Sequence, residues 1–332
     1  MPMSRCVVSC KKGNNRLEVV QIDTGVLYFE MLPELGGKIS SLKDLRTGRE
    51  WLWKNPRLEY KRGLSNRSYV EAADTGGWDE CFPTVAACSY PSDPWAGVDL
   101  QDHGELWSQA VEVAITEEKN RVTLHTQWQG IALPYTFERS VTFEAGSARL
   151  LFEYTLISHA DMPMHFIWSA HPLLAIEPGM RLVFPQTARF NCALAIPEDF
   201  ISQKNGLVYP PSLNSDLSDV DLTSLPDASA GLACKLWSNP LTEGWAALCA
   251  KDGEFRLSWD ATRLPQVALW MNIGAWAGDG GQPYYNVGLE PCIGAQDSLA
   301  DAVTVHKLFD TLSPQAVRTW QLEILLSQKE NQ

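Results

Sequence analysis

Tyr135-Thr136-Phe137-Glu138-Arg139-Ser140-Val141-Thr142-Phe143 decides the fold class. Tyr135, Phe137, Val141 and Phe143 alternate with Thr136, Glu138, Ser140 and Thr142. A period of two puts one set on each face of a half-buried strand. Glu144-Ala145-Gly146-Ser147 then reads as a turn, and Ala148 to Ser158 as the return strand of a hairpin. Working outward, Val122, Leu124 and Trp128 share one face of 121–128. Trp245 to Leu248 and Phe255 to Trp259 form a second hairpin through the Asp252-Gly253 turn. Strand-like runs recur at Val26–Leu32, Ala110–Glu117, Met164–Ser169, Arg181–Phe184, Gln266–Asn272, Tyr284–Glu290 and Trp320–Leu326. No amphipathic stretch reaches three helical turns, and the segments 54–75 and 201–230 read as long loops or short helices. With no composition shift along the chain, the expectation is an all-β protein: one large antiparallel domain spanning 1–332.

Composition narrows the function. The 332 residues are 45% hydrophobic and 20% charged, so a sizeable core can be buried and global disorder is excluded. The net charge of −13 argues against nucleic-acid backbone binding and weakly against a phosphorylated ligand. Thirteen Trp residues are several-fold above ordinary usage, and flat aromatic faces suit sugars or bases. Eight cysteines include no C-x-x-C pair, and no apolar run approaches a membrane span. Free thiols and a cytoplasmic location without membrane partners are therefore expected. A monomer or homodimer is equally compatible with the sequence.

Six histidines offer chemistry. His125 lies on the polar face of its strand, and His306 lies near the C-terminus. His159, His165 and His171 are evenly spaced, but lack tight metal-ligand spacing. Two histidines have more telling neighbours. His103 sits in the polar Gln101-Asp102-His103-Gly104-Glu105-Leu106-Trp107 run, and His171 ends the apolar run Phe166-Ile167-Trp168-Ser169-Ala170-His171, before Pro172. Glu290 follows Val287-Gly288-Leu289 and precedes Pro291, so it should be partly buried. Desolvation would raise its pKa towards values useful for a base; a structural Glu bound to backbone N–H groups or Arg is the alternative.

These residues lie in a pattern that resembles the galactose mutarotase-like (aldose 1-epimerase) superfamily. The matching runs, in order, are Leu32-Pro33-Glu34-Leu35-Gly36-Gly37-Lys38-Ile39, Gly76-Gly77-Trp78-Asp79-Glu80-Cys81-Phe82-Pro83, Asp102-His103-Gly104, Ser169-Ala170-His171-Pro172 and Gly288-Leu289-Glu290-Pro291. The resemblance implies a β-supersandwich with its site in a groove on one sheet. It implies Glu290 as general base, His171 as general acid on the sugar ring oxygen, and His103 as the group that polarises it. It implies a small-molecule sugar as partner and neither metal nor cofactor. The arginine run of the better-known mutarotases is absent, so Arg62 and Arg67 stand as the nearest substrate clamps. Asp79 is the expected sugar-binding aspartate, and Trp78, Trp107 and Trp270 are candidate stacking surfaces, with core packing as the alternative for each. The expected activity is interconversion of the anomers of a free sugar or sugar derivative. The rivals are an idle carbohydrate-binding protein, a metal-dependent isomerase, and a glycoside hydrolase using two carboxylates from among Asp79, Glu80, Glu105 and Glu290.

Overall fold

A computed structural model describes residues 6–63, 67–278 and 280–329. Strands hold 48% of the chain and helices 7%, which agrees with the all-β reading. Two antiparallel sheets carry the architecture. The larger has eleven strands and runs from Val7–Lys12 at one edge to Phe190–Ile196 at the other, with its centre ordered Lys38–Asp44, Trp78–Cys81, Trp168–Ala175, Tyr285–Ile293, Gln266–Ile273, Leu232–Ser238. The smaller has eight strands and contains both hairpins read from the sequence, Tyr135–Glu144 with Arg149–Ser158 and Gly244–Cys249 with Gly253–Trp259.

The apolar faces of the two sheets meet. Trp78 of the large sheet stacks on Phe152 of the small one, centroids 4.9 Å apart and planes 7° from parallel. Trp168 of the large sheet packs against Tyr154 and Trp320 of the small one. Trp78 is therefore a core residue, and the stacking surface expected of it is corrected.

One polar cluster crosses this apolar layer. Arg139 occupies an apolar position of the 135–143 alternation and donates to Glu80 Oε1 at 3.1 Å and to the Gly37 carbonyl at 2.6 Å. Tyr154 Oη and Trp168 Nε1 also donate to the Glu80 carboxylate. Charges this deeply buried are tolerated only when paired and hydrogen-bonded.

The departures from the expected strands have local causes. Trp78–Cys81, which is not among the strand-like runs of the sequence, is a strand at the middle of the large sheet. Met164–Ser169 breaks at Ile167, and the second piece runs through Pro172 to Ala175. The 54–75 segment holds one short helix, Tyr69–Ala72, and residues 64–66 within it lie outside the described residues. The 201–230 segment holds two single turns, Ser215–Leu217 and Ala228–Ala230. All eight cysteines are unpaired. No helix among the described residues is long and apolar enough to cross a membrane.

The buried cluster gives the first prediction. Arg139→Met leaves the Glu80 carboxylate without its cation and should cost about 3–5 kcal/mol of stability. The Glu80→Leu/Arg139→Met pair should cost clearly less than Arg139→Met alone. Urea unfolding of the three proteins checks this, and a double variant as unstable as the single would refute the role given to the pair.

Candidate active site

Strand register brings distant residues together. In the ladder between Trp168–Ala175 and Tyr285–Ile293, Ser169 pairs with Cys292 and Leu173 with Gly288. Midway between these pairs, the register sets His171 across from Glu290. The ladder makes no pairs at 170–172, where Pro172 and Pro291 lack donors. On its other side His171 pairs with Asp79. Beyond Glu290, Trp270 pairs with Gly288 and Lys235 with Trp270. The period of two therefore turns Asp79, His171, Glu290, Trp270 and Lys235 to one face, away from the small sheet. Gly288 clears space there, since a Cβ on it would lie 2.8 Å from Glu290 Oε1 and 3.3 Å from Trp270 Cβ.

A loop supplies the second histidine. His103 and Gly104 both adopt left-handed backbone, φ 59° and 71°. Gly104 lies so close to the strand end that a Cβ would meet the Phe82 carbonyl at 2.0 Å, so only Gly fits. The Glu105 N–H then reaches the Phe82 carbonyl at 2.9 Å. The His103 ring stacks on Tyr69, centroids 3.9 Å apart, and its Nδ1 lies 3.0 Å from Asp102 Oδ1. His103 and His171 have ring centroids 5.0 Å apart.

The resulting cleft has a volume of about 270 Å³, near the lower end of ligand pockets at roughly 300–1,000 Å³. His103, His171, Glu290 and Trp270 line it, together with Lys235, Trp276, Tyr284, Asp74, Asp102 and Asp297. Glu290 is wholly buried. Its Oε2 accepts from Lys235 Nζ at 2.5 Å, while Oε1 has no partner among the described residues. Burial opposes the charge on Lys235, but Glu290 and Asp297 outweigh it and raise its pKa. His171 is 8% exposed, and its Nδ1 has no partner among the described residues. Burial, reinforced by His103, Lys235 and Lys38, holds its pKa well below the ordinary imidazole value.

Other expected residues lie elsewhere. Asp79 is beneath the cleft, ion-paired with Lys38 and accepting from Tyr69 Oη at 2.6 Å, so it supports the ring under His103. Trp107 is buried against Tyr69, and its Nε1 donates to the Asp102 carbonyl at 3.0 Å. Arg62 is salt-bridged to Glu34 on the surface, and Arg67 is exposed; neither lines the cleft. His159 and His165 bond Thr136 and Thr311, so the evenly spaced trio does not converge.

This arrangement can be set beside known proteins. No family model and no curated protein matches the sequence. Solved structures do match. A candidate aldose 1-epimerase from Klebsiella pneumoniae superposes with a TM-score of 0.74 at 17% identity, over 97% of this chain and 83% of that one. A galactose mutarotase-like protein from Clostridium acetobutylicum gives 0.65 at 12% identity, over 99% and 100%. The Slr1438 protein of Synechocystis gives 0.63 at 14% identity, over 99% and 98%. The chain has the galactose mutarotase-like fold. Its mutarotase-like sheet carries the cleft on the face turned away from the second sheet.

Sequence reading missed Lys235, Trp276, Tyr284 and Asp74. Lys235 had a signal: it is the only charge in Leu232-Ala233-Cys234-Lys235-Leu236-Trp237. Burial pushes the Asp74 carboxyl up to about 6 from 3.8, against the pull of Lys38 and His103. The folded state thus holds this proton more tightly than the unfolded chain. Its contribution is complete below pH 4 and is lost as pH rises through 6, about 3 kcal/mol in all. Asp74→Asn, which keeps the uncharged shape, should be more stable than the parent at pH 8 and lose less stability between pH 4 and 7. Urea midpoints across that range check it, and parallel curves for the two proteins would contradict it.

Proposed function

We propose that this chain is an aldose 1-epimerase-like enzyme, working as one domain, that interconverts the α and β anomers of an unphosphorylated sugar. The observation that carries the reading is the meeting of Glu290 with two imidazoles in one cleft walled by aromatic rings. Trp270 and Trp276 cross at 5.5 Å, and Trp276 and Tyr284 at 5.3 Å, offering apolar surface to the C–H face of a sugar ring. Lys235, the cation beside Glu290, is held by that carboxylate and leaves little for a phosphate. Of the carboxylates counted for a hydrolase, Glu80 and Glu105 are tied into the fold. Glu80 pairs with Arg139, while Glu105 accepts from Tyr135 Oη and the Ile131 and Ala132 N–H groups.

The chemistry needs a base and an acid on opposite sides of a hemiacetal. Glu290 Oε1, free of partners among the described residues, takes the proton of the anomeric hydroxyl. An imidazolium gives a proton to the ring oxygen as the C1–O5 bond breaks, its electron pair going to O5. The O1 lone pair closes the aldehyde carbonyl. Rotation about C1–C2 and reclosure on the other face give the second anomer, with both protons returned. The resemblance gave the acid role to His171, but burial among cations keeps that ring uncharged at neutral pH. His103 has a carboxylate behind its Nδ1 and is the ring placed to deliver the proton. His171 then holds the sugar oxygens by hydrogen bonding.

Glu290→Gln removes the proton acceptor and nearly preserves shape, so anomer exchange should fall about 10²- to 10⁴-fold while sugar binding survives. His103→Asn should cut turnover more than affinity. His171→Asn should weaken sugar binding more than turnover, and the reverse would return the acid role to His171. NMR or polarimetry of anomer exchange on free hexoses and pentoses, corrected for spontaneous exchange, reads all three. Full activity in Glu290→Gln removes the base. A wild type that binds sugars without accelerating exchange is a binding protein.

A further inference from the structure

We propose that Cys81, His103 and His171 bind one divalent transition-metal ion of the zinc class at the floor of the cleft. Cys81 shares its strand face with Asp79, and its neighbour across the ladder is Ser169, two residues from His171. His103 reaches the same point from its loop. One ligand atom from each of the three lies within 4.8 Å of the others. Around tetrahedral zinc, with bonds of about 2.0–2.3 Å, ligand atoms sit roughly 3.3–3.6 Å apart. Side-chain rotation of about an ångström closes the difference. A thiolate and two imidazoles are the donors that zinc and cobalt favour, and the fourth position would open to the cleft.

Two independent observations point to an ion. His171 is more than nine-tenths buried, yet its Nδ1 has no hydrogen-bond partner among the described residues. An orphaned buried polar atom costs about 1–3 kcal/mol, which ligation would remove. The second is the Asp102 carboxylate on His103 Nδ1. Metal-binding imidazoles are commonly oriented this way, with a carboxylate on one ring nitrogen and the ion on the other. Binding forms one metal–sulfur and two metal–nitrogen bonds, and the thiol proton leaves to solvent.

The ion occupies both imidazoles that the sugar reaction uses, so the loaded protein should be inactive. Binding stands apart from the proposed activity; inhibition rests on it. The test uses the full chain, stripped with chelator and titrated with Co²⁺ and with Zn²⁺. Tetrahedral cobalt bands with a thiolate-to-cobalt transition are expected in the wild type. Zinc competition against a chromophoric chelator should show one tight equivalent. Cys81→Ser should weaken it by more than about 100-fold, the upper end of what loss of an outer-shell partner alone costs. If Cys81→Ser does not fold, His103→Asn, altered in a loop, serves in its place. Cys10 is exposed on the edge strand Val7–Lys12 and does not line the cleft, so Cys10→Ser should change nothing. A wild type lacking the thiolate-to-cobalt transition, or variants at Cys81 and His103 that hold zinc as tightly as the parent, would overturn the site. Zinc should also slow anomer exchange in the wild type and spare Cys81→Ser. A wild type without exchange activity leaves the binding arm to decide.

Discussion

The pairing of Glu80 with Arg139 fixes which way the central strand of the large sheet faces. Trp78–Cys81 has only four residues, and a slip of one would exchange its two faces. Glu80 can find its guanidinium only between the sheets, where Arg139 is anchored to the Gly37 carbonyl. With Glu80 and Trp78 turned inward, Asp79 and Cys81 must turn outward. Register then carries that choice across the sheet, through His171 and Glu290 to Trp270 and Lys235. A buried ion pair adds little net stability over an apolar pair, but misplacing one partner is costly. Its effect here is to penalise the alternative register.

The outward face is organised as paired charges. Lys38 meets Asp79, Lys235 meets Glu290, and His103 meets Asp102. Each pair restrains a group that borders or supports the cleft. The uncompensated groups are those that burial can neutralise, the His171 ring and, below about pH 6, the Asp74 carboxyl. A pocket so composed favours an uncharged polar ligand over an anion, because each lysine there is already matched by a carboxylate.

The fold was legible where a strand has one wet face. In 135–143 alternation is clear because Thr136 apart, the polar set Glu138, Ser140 and Thr142 is at least partly accessible. The central strands of the large sheet are covered on both faces, so Trp78–Cys81 and Leu232–Ser238 carry no alternation to read. Arg139 was hidden for a related reason: its position in the pattern is apolar, and only its partner on another sheet explains it. His103, His171 and Glu290 stood out because Gly104, Pro172 and Pro291 are residues a plain strand avoids. The choices made on residue type alone fared differently. Trp78 and Trp107 pack, Arg62 pairs with Glu34 on the surface, and Asp79 supports from below, whereas Trp270 lines the cleft. Abundance of Trp measures core volume before it measures ligand contact.

The unpaired stretch between the His171 and Glu290 strands has a mechanical consequence. A continuous antiparallel ladder is stiff along its hydrogen bonds, and any change in separation between neighbouring strands stretches several at once. At 170–172 the ladder makes no pairs, while pairs on either side hold the strands in line. The sheet therefore has a compliant window framed by rigid edges. There His171 and Glu290 face each other without a ladder pair between them, each held instead by the strand on its outer side. In the proposed reaction, a ring that opens, turns and closes would change the spacing of its oxygens at every stage, and the window would let the two side chains follow.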